Sequence, residues 1–359
     1  MTFRVEITNE IDETDWNKQL CKSSSATASQ TASFHKPSQI SYDAKLVFIK
    51  VINNSGEIVG QLSGIMTLKE HRIVTNTFLS SIINKLNLGS SFTWKQGPVI
   101  HDDENHKVIS SEIFSAIEKY CLKNKIQSIK GTTPPLDDHL FKNNLSKLSY
   151  DVKNWKTYMI DLKQNPDSFL KSLNKKIRYD IRKGETNDLE FKIAETLEDF
   201  KEFGMLKLRN EKSADQIMEL GKKAIESTWE YVIKRGYRKL FLVKHKGKLI
   251  GGINALNFNK NLGQTTVINS DETHLSGGPF LTWNVIKWGM KNGYSFFDLG
   301  GVNPNPESQK EKGIDFYKQK WNGIEHETFI LSKILDKKRT KLTHLLRDPK
   351  IISKNILGK

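Results

Sequence analysis

Cysteine is scarce: Cys21 and Cys121 are the only two in 359 residues, and neither sits in a motif. That excludes a disulfide framework and a Cys-rich zinc site, and two lone thiols fit a reducing compartment. Long hydrophobic runs are missing as well. No stretch approaches the ~18 apolar residues of a membrane-spanning helix, and Met1 to Glu10 show no basic segment followed by an apolar one. The chain is therefore expected to be cytoplasmic, with no cleaved leader. Its nine histidines show no H-x-x-x-H spacing beside a carboxylate, so no metal is expected. A Walker A loop and a G-x-S-x-G elbow are also absent, which removes P-loop nucleotide hydrolysis and the elbow-type serine hydrolases.

Charge is what the chain has in excess. The formal net charge is +15, with 27% charged and 37% hydrophobic residues and a mean hydropathy of -0.53. Those values describe a soluble globular chain, and its length corresponds to two domains at roughly 150 residues each. The surplus is local. Residues 169–183 carry six Lys/Arg against Asp180, and residues 332–359 carry nine against Asp336 and Asp348. Such concentration points to a polyanionic partner (RNA, anionic lipid or a diphosphate-bearing substrate) or else to solvated helix faces.

Patterning predicts mixed α/β structure. Residues 1–20 read as a strand and a helix start, and residues 22–33, small and polar, as a loop open to motion. Lys45–Val51 and Ile58–Leu68 form a hairpin around Asn53–Gly56. A strand at 91–96, closed by Gly97-Pro98, a helix through Ile109, Ile113, Ile117 and Tyr120, and a strand at 126–129 follow. Asn165-Pro166 opens a helix with the apolar stripe Leu170, Leu173, Ile177 and Ile181, closed by Gly184. Another helix opens at Thr196–Asp199 like a capping box, and a long one spans about 215–235. A second hairpin turns at Lys246-Gly247, with strands at 264–269 and 295–299 flanking a helix from Ser276 to Asn292. The order hairpin, strand, helix, strand thus occurs twice, at about 45–131 and 238–299, which reads as two copies of one α/β unit.

Four segments are candidates for chemistry. Ser276-Gly277-Gly278-Pro279 begins a helix, where bare N–H groups accept a phosphate or an oxyanion, or simply turn the chain. Phe296–Gly301 places Asp298 at the carboxyl edge of a strand, to orient an amine, take its proton or cap the next turn. Gly313–Gly323 puts Tyr317 beside Lys318, and Tyr317 and Trp321 on one helix face, as an anion-binding pair or a core stripe with exposed lysines. On the basic helix, Arg178 and Arg182 lie four apart, as a phosphate clamp or a solvated face. A C-terminal helix with Leu335, Leu342, Leu345 and Leu346 among basic residues would touch RNA or an anionic membrane face, or dock on the first domain.

Trp155–Leu162, Asn174–Lys183, Gly97-Pro98-Val99, Phe297–Gly301 and Tyr317-Lys318-x-x-Trp321, in that order and spacing, resemble the FemA/FemB/FemX family. Those enzymes build peptidoglycan interpeptide bridges and fall within the GNAT-like acyltransferases. The resemblance is dispersed over about residues 27–331. It implies two tandem GNAT-like domains of mixed sheets flanked by helices, 1–154 completed by 325–359, and 155–324, with substrate in the cleft between them. It also implies an enzyme that moves an aminoacyl group from aminoacyl-tRNA to an amine of a cell-wall precursor, with no tightly bound cofactor. Acyl-CoA is the donor in related members, and a non-catalytic RNA- or membrane-binding module is the further alternative.

Carried over by position, Tyr317-Lys318 falls where the family has a Phe-Lys pair near the acyl-transfer centre. Arg209 falls near the arginine that grips the precursor's diphosphate, and Gln30-Thr31 with Lys36 resembles the segment before a substrate-binding lysine. In the chemistry that follows, Lys318 holds the donor's phosphate or the oxyanion and Asp298 orients or deprotonates the amine. Arg178, Arg182 and Arg209 hold anionic parts of donor or acceptor. The sequence departs from the pattern in two places. Thr273–Gly278 lacks the leading Arg or Gln of the acyl-CoA pyrophosphate signature, which counts against a CoA donor. Gln264–Ile268 lacks a tyrosine frequent on that strand, which counts against a cell-wall acceptor. No coiled-coil insertion is present, as in the shorter FemX-like members.

Overall fold

The computed structural model describes residues 2–42, 44–68, 86–142, 145, 148–210, 223–269 and 272–347. The chain forms two compact units, one of Met1–Ser25, Gln30–Lys153 and Phe329–Lys359, the other of Ala26–Ser29 and Asn154–Thr328. The first begins with β1 (Arg4–Thr8) and α1 (Glu13–Leu20), whose opening N–H groups of Thr14 and Asp15 donate to the Asp12 carboxylate. After α2 (Ala32–Tyr42) comes the hairpin β2 (Lys45–Ile52) and β3 (Ile58–Thr67), turned where Gly56 takes φ +84°. β4 (Ser91–Thr93), β5 (Val99–Ile100), α3 (His106–Lys123), β6 (Ser128–Thr132) and α4 (Asp138–Lys142) follow.

β7 (Asp151–Asp161) carries the chain into the second unit. There it forms α5 (Pro166–Ser172), α6 (Lys175–Thr186), β8 (Leu189–Ile193), α7 (Leu197–Asn210), β9 (Arg238–His245), β10 (Lys248–Phe258) and β11 (Asn261–Asn269). α8 (Gly277–Lys291), β12 (Phe296–Asp298) and α9 (Gln309–Gln319) complete it. β13 (Ile324–Ile334) and α10 (Lys337–Arg347) return to the first unit.

Each unit repeats one architecture. Strand order is β1-β2-β3-β4-β6-β13 in the first, with β5 on β3, and β7-β12-β11-β10-β9-β8 in the second. Each contains a parallel pair joined through a crossover helix: β4 with β6 across α3, and β11 with β12 across α8. A parallel neighbour cannot be reached by a hairpin, so the helix is required, and its apolar face covers the sheet. Ile109, Ile113 and Ile117 of α3 pack on Val47, Ile49 and Leu62. Leu281, Val285 and Ile286 of α8 pack on Ile253, Ala255 and Phe297.

Packing in the first unit leaves no room at Gly131. A Cβ there would lie 1.9 Å from Trp94 Cε2, and Trp94 is 2% exposed with its Nε1 donating to the Gly97 carbonyl at 2.9 Å. Gly131→Ala is therefore expected to lower stability by ~3 kcal/mol, about 6–12 °C in melting temperature, read by calorimetry.

Three sequence expectations are corrected. Residues 22–33 are not an open loop: Ser25, Ala26 and Ala28 to Ser33 are buried, and α2 starts inside the segment. Small side chains let the backbone approach, and the polar ones are satisfied internally. The Gln30 side chain accepts from Ser63 N–H at 2.8 Å and donates to the Lys95 carbonyl at 2.6 Å. The helix drawn through Leu170 and Ile181 is two helices, because Leu173 is extended and the Asn174 side chain caps α6 by accepting from Ile177 N–H at 2.9 Å. Gly184 is interior to α6, where its bare Cα faces Phe280. Of the helix expected at 215–235, residues 215–222 lie outside the described residues; 223–228 are helical and Trp229–Ile233 form a π-helical turn.

Candidate functional site

The second unit opens where its parallel strands part. β11 and β12 pair only over Asn261–Gly263 and Phe296–Asp298. Beyond Gly263 the register with β10 slips by one residue, and Thr265 is the extra residue, its hydroxyl donating to the Asn254 carbonyl at 2.9 Å. The Gln264 side chain spans the gap by donating to the Leu299 carbonyl at 3.0 Å. A cavity of about 710 Å³ lies at this opening, walled by the diverging strand ends, the start of α8 and one face of α9. Ile250, Val267, Leu299 and Ile314 make part of it apolar.

Lys318 of α9 lines that cavity, yet only 8% of it is exposed. Its Nζ donates to the Gly300 carbonyl at 2.7 Å and the Gly301 carbonyl at 3.3 Å. Gly300 can hold this turn because it has φ +80°; a Cβ there would also meet the Gln264 carbonyl at 2.9 Å. Burial pushes the Lys318 pKa down to about 8, against the carboxylates of Asp298 and Asp315, which favour its charge. The side chain is therefore a protonated but poorly solvated cation at neutral pH.

Asp298 ends β12 and stands behind the cavity; it is not among the lining residues. It accepts from the Thr157 hydroxyl and from Gly300 N–H at 2.7 Å. Burial pushes its carboxyl pKa up, while these donors and Lys318 oppose the shift. Asp315 is fixed by the Tyr158 hydroxyl at 2.8 Å, with Lys156 at 3.4 Å. The two acids hold the glycine turn and the α9 face that present Lys318.

Tyr317 and the Gly277-Gly278 pair meet Lys318 at the same cavity. The Tyr317 hydroxyl is 3.1 Å from Thr282 Oγ1, and burial raises its pKa to about 12, so it acts as a neutral hydrogen-bonding group. Ser276 sits in the left-handed region at φ +59° and does not cap α8 with its side chain. The first-turn N–H groups of Gly277 and Gly278 thus have no acceptor from the cap residue, at the positive end of a 15-residue helix.

Other predicted residues lie elsewhere. Arg178 and Arg182 are on α6 and do not line the cavity; Arg178 Nη1 donates to the Lys171 carbonyl at 2.9 Å. Lys36 is on α2 in the first unit, donating to Gln39 Oε1 at 2.9 Å. Arg209 lies near the end of α7, and its side chain falls outside the described residues. Among the described residues no cluster of His, Cys, Asp or Glu is placed to hold a metal ion, and no helix is long and apolar enough to cross a membrane.

The sequence reading missed Gln264, Thr265, Asn269, Lys310 and Ile314, all at the cavity. A signal existed for two of them. Lys310, Ile314, Tyr317 and Lys318 recur at three- to four-residue spacing, which puts them on one face of α9. Nothing in the sequence marks the bulge that turns both Gln264 and Thr265 toward the opening.

Residues 171–319 match the acetyltransferase (GNAT) domain family Acetyltransf_6. No curated protein sequence matches the chain. Among solved structures it is similar to FemX, with 14% identity and a TM-score of 0.71 over 94% of this chain and 99% of that one. A tandem GNAT protein from the clavulanic acid biosynthesis pathway matches at 9% identity and TM-score 0.54, over 92% and 98% of the two chains. The C-terminal DUF2156 domain of an Agrobacterium fabrum protein assigned as a lysylphosphatidylglycerol synthetase matches at 10% identity and TM-score 0.53, over 93% and 94%. The fold is therefore that of tandem GNAT proteins, and the matched segment 171–319 contains α8, α9 and every strand of the second unit's sheet except β7.

Proposed function

We propose that this chain is an acyltransferase that moves an aminoacyl or acyl group from an activated donor to an amine, with the reaction centred on Lys318. The observation that carries this reading is the buried ammonium of Lys318, held on the Gly300 and Gly301 carbonyls at the mouth of two parted parallel strands, opposite an uncapped helix start. The amine nitrogen attacks the ester or thioester carbonyl carbon. A C–N bond forms, the C–O or C–S bond breaks, and the amine's proton leaves with the departing oxygen or sulfur or to solvent. The donor is already activated, so no covalent enzyme intermediate is required. Lys318 supplies a cation for the oxyanion of the tetrahedral intermediate, in a site where low polarity strengthens it. Tyr317 and Thr282 border the acyl group, Gly277 and Gly278 N–H groups take an anionic part of the donor, and positioning supplies up to about 7–11 kcal/mol of the barrier.

For the donor, aminoacyl-tRNA is our first reading. The FemA/FemB/FemX resemblance and the basic face of α6, where Lys175, Lys176 and Arg182 are exposed, support it, with an amine such as that of a cell-wall precursor as acceptor. Acyl-CoA is the second, favoured by the glycine-rich start of α8 on the cavity. The test offers purified protein acyl-CoAs and charged tRNAs with a mixed amine pool and reads the amines by mass. An acylated amine that appears only with charged tRNA selects the first reading, and one only with acyl-CoA the second. No acylated amine with any donor would falsify both.

Gly278 reports on the anion site by itself. A Cβ there would meet Asn269 Nδ2 at 3.4 Å, an ordinary contact. Alanine keeps the N–H but adds a methyl beside the anion's approach to it, so Gly278→Ala is expected to keep the melting temperature and raise the donor KM about tenfold, as if that hydrogen bond were lost.

A further inference from the structure

We propose that the corner of the first unit built around α10 is a docking surface for an anionic lipid bilayer. The inner face of α10 is fixed by two residues. Arg339 donates through Nη1 to the Lys125 carbonyl at 2.8 Å and through Nη2 to the carbonyls of Leu86 at 2.9 Å and Asn87 at 2.7 Å. Thr343, 3% exposed, donates to the Arg339 carbonyl at 2.9 Å and contacts Gln127 Oε1 at 3.3 Å. With those two inward, the turn of an α-helix puts Lys337, Lys338, Lys341, Leu342 and Leu345 on one outward arc, and all five are exposed. Leu86 and Leu122, beside the carbonyls and helix end that Arg339 ties together, are 49% and 59% exposed, with Lys123 and Lys125 exposed next to them.

Two properties coincide here. Among the described residues none of these five lysines forms an ion pair, and residues 332–347 carry six Lys/Arg against Asp336. The arc also displays leucines where a merely solvated helix would carry polar side chains. An RNA backbone is bound through its phosphates and has no use for exposed leucines. A bilayer with anionic headgroups uses both: lysines at the phosphates and leucines in the acyl boundary.

Flotation of the full chain with vesicles of phosphatidylcholine, with and without phosphatidylglycerol, tests this. Binding is expected only with phosphatidylglycerol and should weaken as salt rises. Lys338→Glu/Lys341→Glu is expected to lower vesicle affinity at least ~25-fold, at about fivefold per lysine. Leu342→Gln/Leu345→Gln is expected to lower it about tenfold through lost apolar insertion, with the melting temperature of both variants near that of the parent. Equal capture by neutral vesicles overturns the proposal. So does a leucine variant that binds vesicles like the parent while a tRNA pool displaces them, which makes the corner an RNA surface. A change of molecular mass in light scattering for the leucine variant overturns it too, because a second copy then covers the arc.

Discussion

Lys318→Met is expected to lower kcat/KM by about 10²–10³, the range for losing a principal donor to the oxyanion, and to leave the protein folded. The second half of that expectation follows from opposing terms. Holding an ammonium where its pKa is about 8 instead of 10.5 costs about 3 kcal/mol at neutral pH. Methionine removes that cost but leaves the Gly300 and Gly301 carbonyls without their donor, at about 1–3 kcal/mol for each buried acceptor, so the two changes offset. The pH dependence separates the two roles. In the proposed mechanism the cation is the active form, so the parent's kcat/KM is expected to fall as pH rises through about 8. Stability moves the other way. The unfolded chain keeps the Lys318 proton up to 10.5 and the folded chain loses it near 8, so unfolding free energy rises with pH between those values. Lys318→Met should lack that rise. Pre-steady-state rates and urea melts across the window check both, and an activity that climbs through pH 8 would instead make the neutral amine the working form.

Asp298→Asn is expected to lower kcat about tenfold at neutral pH through Lys318, by reducing the protonated fraction of its ammonium. Asp298 is the foremost of the two carboxylates that favour the Lys318 charge, and its Oδ1 fixes the Gly300 N–H of the turn whose carbonyls Lys318 holds. Asparagine keeps the size and an acceptor oxygen, so the turn stays folded, but the counter-charge is gone. The alkaline fall in kcat/KM should move to lower pH than about 8, while the donor KM stays close to the parent's. Deprotonation of the amine by Asp298 itself makes a different forecast: an acidic limb is lost and the alkaline limb stays where it was. The pH profile of the variant decides between them.

The elements that were legible in the sequence are those with local causes. The two hairpins, the crossover helices and the start of α8 follow from alternation, helical spacing and glycine, which act within a few residues. So does the pairing of Tyr317 with Trp321 on one helix face, with Lys318 beside Tyr317. Where the reading went astray, distant contacts decided. Residues 22–33 read as an exposed loop because they are small and polar, yet Gln30 finds its partners in Ser63 and Lys95. The α5–α6 break lies inside an unbroken apolar stripe, since Leu173 is buried with or without the break. Lys318 carries no local mark of its burial; beside Lys310 and Lys312 on the same helix it reads as one more solvated lysine.

By itself, then, the order of residues determined a twice-repeated α/β unit and the candidates Lys318, Tyr317, Asp298, Gly277 and Gly278, because periodicity and backbone freedom are properties of neighbours in the chain. Only the tertiary structure decided which of them share a cavity, that Asp298 stands behind it, and that the Lys318 ammonium is held in a poorly solvated site. Burial and charge proximity depend on groups brought together from β11, β12, α8 and α9, and no local pattern carries that information.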